Sequence, residues 1–193
     1  MKQRTIITSS LSKTFSVTGW RIGWAIAPSA IASAIRNIHV RLTDSAPAPF
    51  QRAALTALTI SPQHYEAQKK DYQSKRNFVV KLLTKLGFGV HFTPQGSFFL
   101  FAELPETLRS SDADFVKEMI KEAGVVAVPG CGFFHGGHYR KKTSDESYAY
   151  QKRYIRFAFC KSEATLIAAA KRLETLPRHF WTGDFASSSN SES

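Results

Sequence analysis

Apolar and polar positions along the chain change period several times, and each change marks an element. Arg4-Thr5-Ile6-Ile7-Thr8-Ser9 is a β-branched run that predicts a short strand over 4–9. Trp20-Arg21-Ile22-Gly23-Trp24-Ala25-Ile26-Ala27 predicts a second strand, stopped by Pro28. Ile31, Ala34, Ile35 and Ile38 then recur at helical spacing and predict a helix over 29–41. Pro47 and Pro49 interrupt the chain, and Phe50 to Leu58 is apolar enough for a buried helix. Ser61-Pro62 has the form of an N-cap followed by proline in the first helical position. The helix it opens runs to about Leu86, with Tyr65, Tyr72, Val79, Leu82, Leu83 and Leu86 as its apolar stripe, and Gly87 ends it. A long helix near mid-chain often joins two lobes, so a domain boundary is expected near residue 60.

Beyond that helix, strand and helix patterns alternate. Val90–Phe92 and Ser97–Ala102 read as strands around the turn Thr93-Pro94-Gln95-Gly96. Ser111 caps a helix with Phe115, Val116, Met119 and Ile120 turned inward and Gly124 at its end. Val125–Val128 reads as a strand, 129–150 as a Gly-, His-, Ser- and Lys-rich loop, and Tyr154–Cys160 as a further strand. Ser162 caps a last helix reaching about Leu176, and the polar tail that ends the sequence is expected to be disordered. Such alternation points to α/β or α+β layering.

Composition narrows the class. The sequence has 193 residues, 43% hydrophobic and 21% charged, which suits a globular protein of one domain or parts of two. No apolar run approaches the ~20 residues of a membrane span. Met1-Lys2-Gln3-Arg4 leads into a stretch too short and too polar for a signal peptide. Cys131 and Cys160 make neither a disulfide framework nor a zinc site, so a reducing compartment is the default. The expected location is the cytoplasm, or an organelle where a transit peptide precedes Met1. The net charge of +11 is dispersed: Lys69, Lys70, Lys75, Arg76, Lys81 and Lys85 lie along one helix and Arg140-Lys141-Lys142 in a loop. No nucleic-acid-binding motif accompanies it.

The candidate chemistry is concentrated near the start. Lys13 sits among small hydroxyl residues, with Ser10 and Ser12 as donors and Arg21 as a fork matched to phosphate oxygens. Gly19 and Gly23 are expected to let the backbone approach closely. A lysine amine forms a Schiff base with a carbonyl, and pyridoxal phosphate carries both carbonyl and phosphate. Ser10-x-x-Lys13 followed by Gly19-x-Arg21-x-Gly23 resembles the cofactor-lysine signature of class I/II aminotransferases, the fold-type-I pyridoxal-phosphate enzymes. The resemblance implies that Lys13 is the catalytic lysine that forms the internal aldimine with pyridoxal 5'-phosphate, and that Ser10 and Arg21 bind its phosphate.

The rest of the chain extends the likeness, from about residue 4 to 176. In Tyr154-Ile155-Arg156-Phe157-Ala158-Phe159-Cys160, alternation puts Arg156, Ala158 and Cys160 on one face and Ile155, Phe157 and Phe159 on the other. On residues alone Arg156 reads as an edge-strand arginine paired with a carboxylate. By resemblance it matches the arginine that grips the substrate α-carboxylate. Pro94-Gln95-Gly96-Ser97-Phe98-Phe99 resembles the turn that approaches the substrate, which makes Gly96 a candidate contact. Val128-Pro129-Gly130-Cys131-Gly132-Phe133 is similar to a further family segment. The combination looks like the kynurenine, glutamine and methionine aminotransferase-like branch. His135-x-x-His138 lacks a carboxylate or cysteine partner nearby and is not assigned to a metal; none is expected. Gly130-x-Gly132 lacks the third glycine and following helix of a dinucleotide site.

In the family the matching lysine lies well past the middle of a much longer chain. The resemblance therefore implies the C-terminal part of such an enzyme: a remnant of the large-domain sheet over 1–60, an α+β small domain over 61–178, and a tail over 179–193. The family residues that hold the pyridine ring and its 3'-oxygen fall outside this sequence. The implied function is transfer of an amino group from an amino acid to a 2-oxo acid, in a homodimer, without nucleic acid or membrane partners. The alternative is a truncated, non-catalytic interaction module that keeps the small-domain fold.

Overall fold

The computed structural model describes residues 2–134, 150–177 and 180–181. It divides into two compact units, Met1–Glu66 and Ala67–Ser193. His135, His138, the Arg140-Lys141-Lys142 run and the polar tail from Ala186 onward lie outside the described residues.

In the first unit, strands β1 (Ile7–Ser10) and β2 (Gly23–Ile26) pair antiparallel, with Ile7 opposite Ile26 and Ser10 opposite Gly23. Two helices follow, α1 (Ser29–Thr43) and α2 (Ala48–Leu58). The second strand is shorter than its residue pattern predicts. Thr18–Trp20 form a 3-10 turn and Arg21 takes left-handed backbone angles, φ 57 and ψ 41, so the extended run begins only at Gly23. Residue 4 likewise belongs to a 3-10 turn, Lys2–Arg4, and β1 starts three residues later. The helix expected to be buried, α2, has no buried residue, and Leu55 and Leu58 are exposed. The cause is a shortage of covering surface: both strands of the unit are themselves largely exposed.

Helix α3 (Pro62–Lys85) contains the division between the units. The Ser61 hydroxyl accepts from the Gln63 amide at 3.3 Å, as an N-cap should, and Gly87 leaves the helix end at φ +88. In the second unit β3 (Phe99–Glu103), β5 (Tyr154–Ala158) and β4 (Val128–Pro129) form an antiparallel sheet in the order β3-β5-β4. Helices α4 (Asp112–Ala123) and α5 (Glu163–Glu174) begin at Ser111 and Ser162, whose hydroxyls accept from Asp114 N and Thr165 N. Gly124 closes α4 in the left-handed conformation.

One face of this sheet builds the core. Leu100, Ala102, Ile155 and Phe157 pack with Val79 and Leu83 of α3, Phe115 and Met119 of α4, and Leu166 and Leu173 of α5. Ile120 is exposed rather than inward, because Phe115, Val116, Met119 and Ala123 already fill the inner arc of α4. Val90–Phe92 is not a strand: only Gly89 bridges to Glu103, and the chain then leaves the sheet edge. The expectation of a tail from residue 179 fails at Phe180 and Trp181. Phe180 is 1% exposed, and its ring centroid lies 5.3 Å from that of Phe115. An aromatic pair of this size gains more from burial than it loses in ordering two residues.

Candidate active site

In the first unit Ser10 ends β1, and Lys13 and Arg21 lie on the loop that leads from it to β2. Ladder bonding continues one step past the strands, with Leu11 N–H donating to Ile22 C=O at 3.1 Å. Leu11 and Ile22 are buried there. The chain then turns: Phe15 N–H donates to Leu11 C=O at 3.1 Å and the Thr18 hydroxyl to Ser12 C=O at 3.0 Å. Those bonds hold Lys13 at the exposed outside of the turn, where its ammonium has no partner among the described residues.

Arg21 returns the chain beside this turn. Its left-handed backbone costs about 1–2 kcal/mol for a residue with a Cβ. The guanidinium Nη1 donates to Thr18 C=O at 3.0 Å, which ties the side chain to the turn and leaves the rest of the fork open to an anion. Gly23, opposite Ser10, is required by contact: a Cβ there would lie 2.8 Å from Ser9 O and 3.2 Å from Ser10 Cβ. Gly19 is different. A Cβ on it would meet nothing within 4 Å and its φ is not left-handed, so the expected close approach belongs to Gly23 alone. Two aromatic stacks brace the loop: Phe15 lies 5.9 Å from His64 and Trp20 lies 4.9 Å from Phe50, both near parallel.

Arg156 is in the second unit, on the sheet face opposite the core. Its register partners are Phe101 on β3 and Val128 on β4. The guanidinium carbon sits 4.1 Å from the Phe99 ring centroid and 4.4 Å from that of Phe133, so two rings lie against it. Its Nε is buried without a hydrogen-bond partner among the described residues. An orphaned N–H beside a guanidinium's parallel donors is a strong site for a carboxylate. The carboxylate partner that an edge-strand arginine would need is not found on this face among the described residues.

Gly96 is exposed in the turn before β3, and a Cβ there would meet nothing within 4 Å. The left-handed position of this turn is Ser97, at φ 69. Arg76 of α3 fixes the turn by donating from Nη1 to Pro94 C=O at 3.0 Å. The first unit brings Ser10, Lys13 and Arg21 into one stretch of chain, and the second holds Arg156 and Gly96.

Three residues that sequence reasoning missed shape the second unit. Arg153 donates through Nη2 to Leu104 C=O at 2.8 Å and Pro105 C=O at 2.7 Å, and through Nη1 to Leu108 C=O. Asp112 is 1% exposed and accepts from Ala113 N–H at 2.9 Å and Cys131 N–H at 2.7 Å. Phe133 supplies the second ring over Arg156. Gly130 is needed because a Cβ there would fall 2.4 Å from Tyr154 O. Burial pushes the Cys131 thiol pKa up, and the neighbouring Asp112 adds to that rise. Among the described residues, no His, Cys, Asp and Glu group could hold a metal, and no helix is long and apolar enough to cross a membrane.

The chain matches the family model "Aminotransferase class I and II" over residues 1–173. It is 32% identical over 176 residues to the methionine aminotransferase of Escherichia coli (strain K12), a match covering 91% of this chain and 42% of that one. It is 32% identical over 191 residues to kynurenine–oxoglutarate transaminase 1 of Homo sapiens, covering 90% and 43%. The solved structure of N-succinyldiaminopimelate aminotransferase from Mycobacterium tuberculosis superposes with a TM-score of 0.76 at 31% identity, covering 90% of this chain and 42% of that one. The chain thus spans about two fifths of the length of the curated relatives it matches.

Proposed function

We propose, for a chain that belongs to the class I and II aminotransferase family, that it supplies the catalytic lysine and the carboxylate-binding arginine of a transaminase acting on an amino acid and a 2-oxo acid. The fold is a partial α/β fold of the fold-type-I kind. We assign residues 1–60 to the end of the large domain and 61–178 to the small domain. The family depends on pyridoxal 5'-phosphate and is generally dimeric, and we read this chain as acting within a homodimer.

The residues present suit the cofactor where they can be tested. The exposed Lys13 ammonium and the open part of the Arg21 fork lie on the loop that continues from the Ser10 end of β1, as an amine and a phosphate site must. When bound, pyridoxal phosphate supplies the carbonyl that engages the lysine amine and a conjugated ring that takes up electrons from the substrate Cα. Arg21 and Ser10 would hold the phosphate by charge-assisted and hydroxyl hydrogen bonds. Arg156 holds the substrate carboxylate, its Nε completing the pair of parallel donors. Lys13 Nζ would take the proton from the substrate Cα as general base and return it as general acid.

The observation that carries this reading is the exposed Lys13 amine, without a partner among the described residues, on the loop that joins Ser10 to Arg21. Its test is borohydride trapping of the 193-residue chain with pyridoxal phosphate, followed by peptide mass mapping. The label should concentrate on Lys13 and fall in Arg21→Gln. Even labelling across the surface lysines, unchanged in Lys13→Ala, would refute it.

A further inference from the structure

Asp112 is a buried carboxylate without a basic side chain bonded to it among the described residues. It accepts from two backbone N–H groups, one at the start of its own helix and one nineteen positions along the chain, and the Cys131 thiol also bonds to it. The first is ordinary for a residue at a helix N-terminus, where the macrodipole favours negative charge. The second is not local. It ties α4 to the 3-10 turn Cys131–Phe133 at its first residue.

That turn has one other fixed point. Gly130 N–H donates to Tyr154 C=O at 2.7 Å, and the glycine has no room for a side chain. The turn is therefore pinned to β5 on one side and to α4 on the other. Phe133 leaves its far end, and its ring reaches the Arg156 guanidinium at 4.4 Å and the Phe101 ring at 5.5 Å, near perpendicular. Phe133 is itself half exposed, so packing alone does not hold its ring. Its placement depends on the backbone beneath it. A buried charge is costly unless its acceptor capacity is used, and here that capacity is spent on orienting this turn.

From this chain of contacts we infer that Asp112 is a positioning residue for carboxylate recognition, acting through the Cys131–Phe133 turn to keep Phe133 against Arg156. The inference rests on the reading of Arg156 as the carboxylate-binding residue. It does not require Asp112 to touch the substrate. An isosteric amide still offers one oxygen to a backbone N–H, whereas alanine offers none, so Asp112→Asn and Asp112→Ala grade the loss of the bonds.

The test is an NMR measurement on the full chain, with pyruvate as a plain 2-oxo acid probe. A proton lying over an aromatic face is shifted upfield, so the Arg156 Nε–H resonance reports the ring position directly. Asp112→Ala should move this resonance toward the position found in Phe133→Leu and weaken pyruvate by about five- to tenfold, the scale of one lost cation–π contact. Asp112→Asn should keep most of both signals. The double variant Asp112→Ala/Phe133→Leu should be little worse than either single one, because both remove the same contact. An unmoved Arg156 Nε–H in folded Asp112→Ala, or effects that simply add in the double variant, would overturn the positioning role. Pyruvate affinity unchanged in Arg156→Lys would instead overturn the reading of Arg156, a failure kept distinct because the Arg156 Nε–H shift in Asp112→Ala is read without pyruvate.

Discussion

The two glycines that flank Arg21 make opposite predictions when changed to alanine. At Gly23 the added Cβ would sit 2.8 Å from Ser9 O, and ordinary contact begins at 3.4 Å, so one strand must shift by about 0.6 Å. The atom met is backbone, not the end of a flexible side chain, so the strain falls on the β1–β2 pairing. Overpacking of this kind costs about 1–3 kcal/mol. At Gly19 the Cβ meets nothing and the backbone is acceptable to any residue. Alanine there should stabilise by about 0.4–1 kcal/mol through the unfolded chain. Because the chain has two units, a single melting temperature would mix their responses. Hydrogen exchange of the Leu11 amide, which donates to Ile22 C=O, isolates the loop. With tenfold for each ~1.4 kcal/mol, its protection should fall by about 5- to 150-fold in Gly23→Ala. In Gly19→Ala it should hold or rise slightly. Borohydride trapping on Lys13 should fall in the first variant and not in the second. Equal effects of the two changes, or greater damage from Gly19→Ala, would refute the assignment of the close contact.

Other outcomes follow from burial and capping. Phe180→Ala should destabilise the second unit by about 3–5 kcal/mol, seen as a lower urea midpoint for its amides, although Phe180 lies beyond the residues matched by the family. Ser111→Ala removes the acceptor for Asp114 N–H and should cost about 1 kcal/mol, read from exchange in the first turn of α4. Cys160, which is exposed, should be alkylated by iodoacetamide well before Cys131. The raised Cys131 pKa means less thiolate at neutral pH, so its rate should still be climbing with pH above 9.

The parts of the fold that follow from local chemistry were legible in the sequence. Ser111, Gly124 and Ser162 mark helix ends because capping needs only neighbours in sequence. Alternation along 154–160 separates Arg156 from the buried Ile155, Phe157 and Phe159 because the strand period is fixed. Contacts between distant segments were not legible. Nothing around Asp112 signals that it accepts from the Cys131 amide, and Phe133 looks like any loop aromatic until β5 brings Arg156 beneath it. Phe180-Trp181 did carry a signal, since two large aromatics just after Pro177 are poor candidates for a solvated tail. The burial expected of α2 failed for a different reason. An apolar face shows that something should cover it, and not whether the cover belongs to the same chain.

The two rings against Arg156 also bear on the entropy of ligand capture. A free arginine side chain gives up about 1.5–2 kcal/mol of rotamer freedom when it is fixed. Against Phe99 and Phe133 the guanidinium is already confined, so that loss is charged to folding and not to the arrival of a carboxylate. Capture then needs little rearrangement of the arginine, and its rate should be set by diffusion and access rather than by waiting for a rare rotamer. Replacing either ring would return that disorder to the bound-state balance while leaving the charge in place.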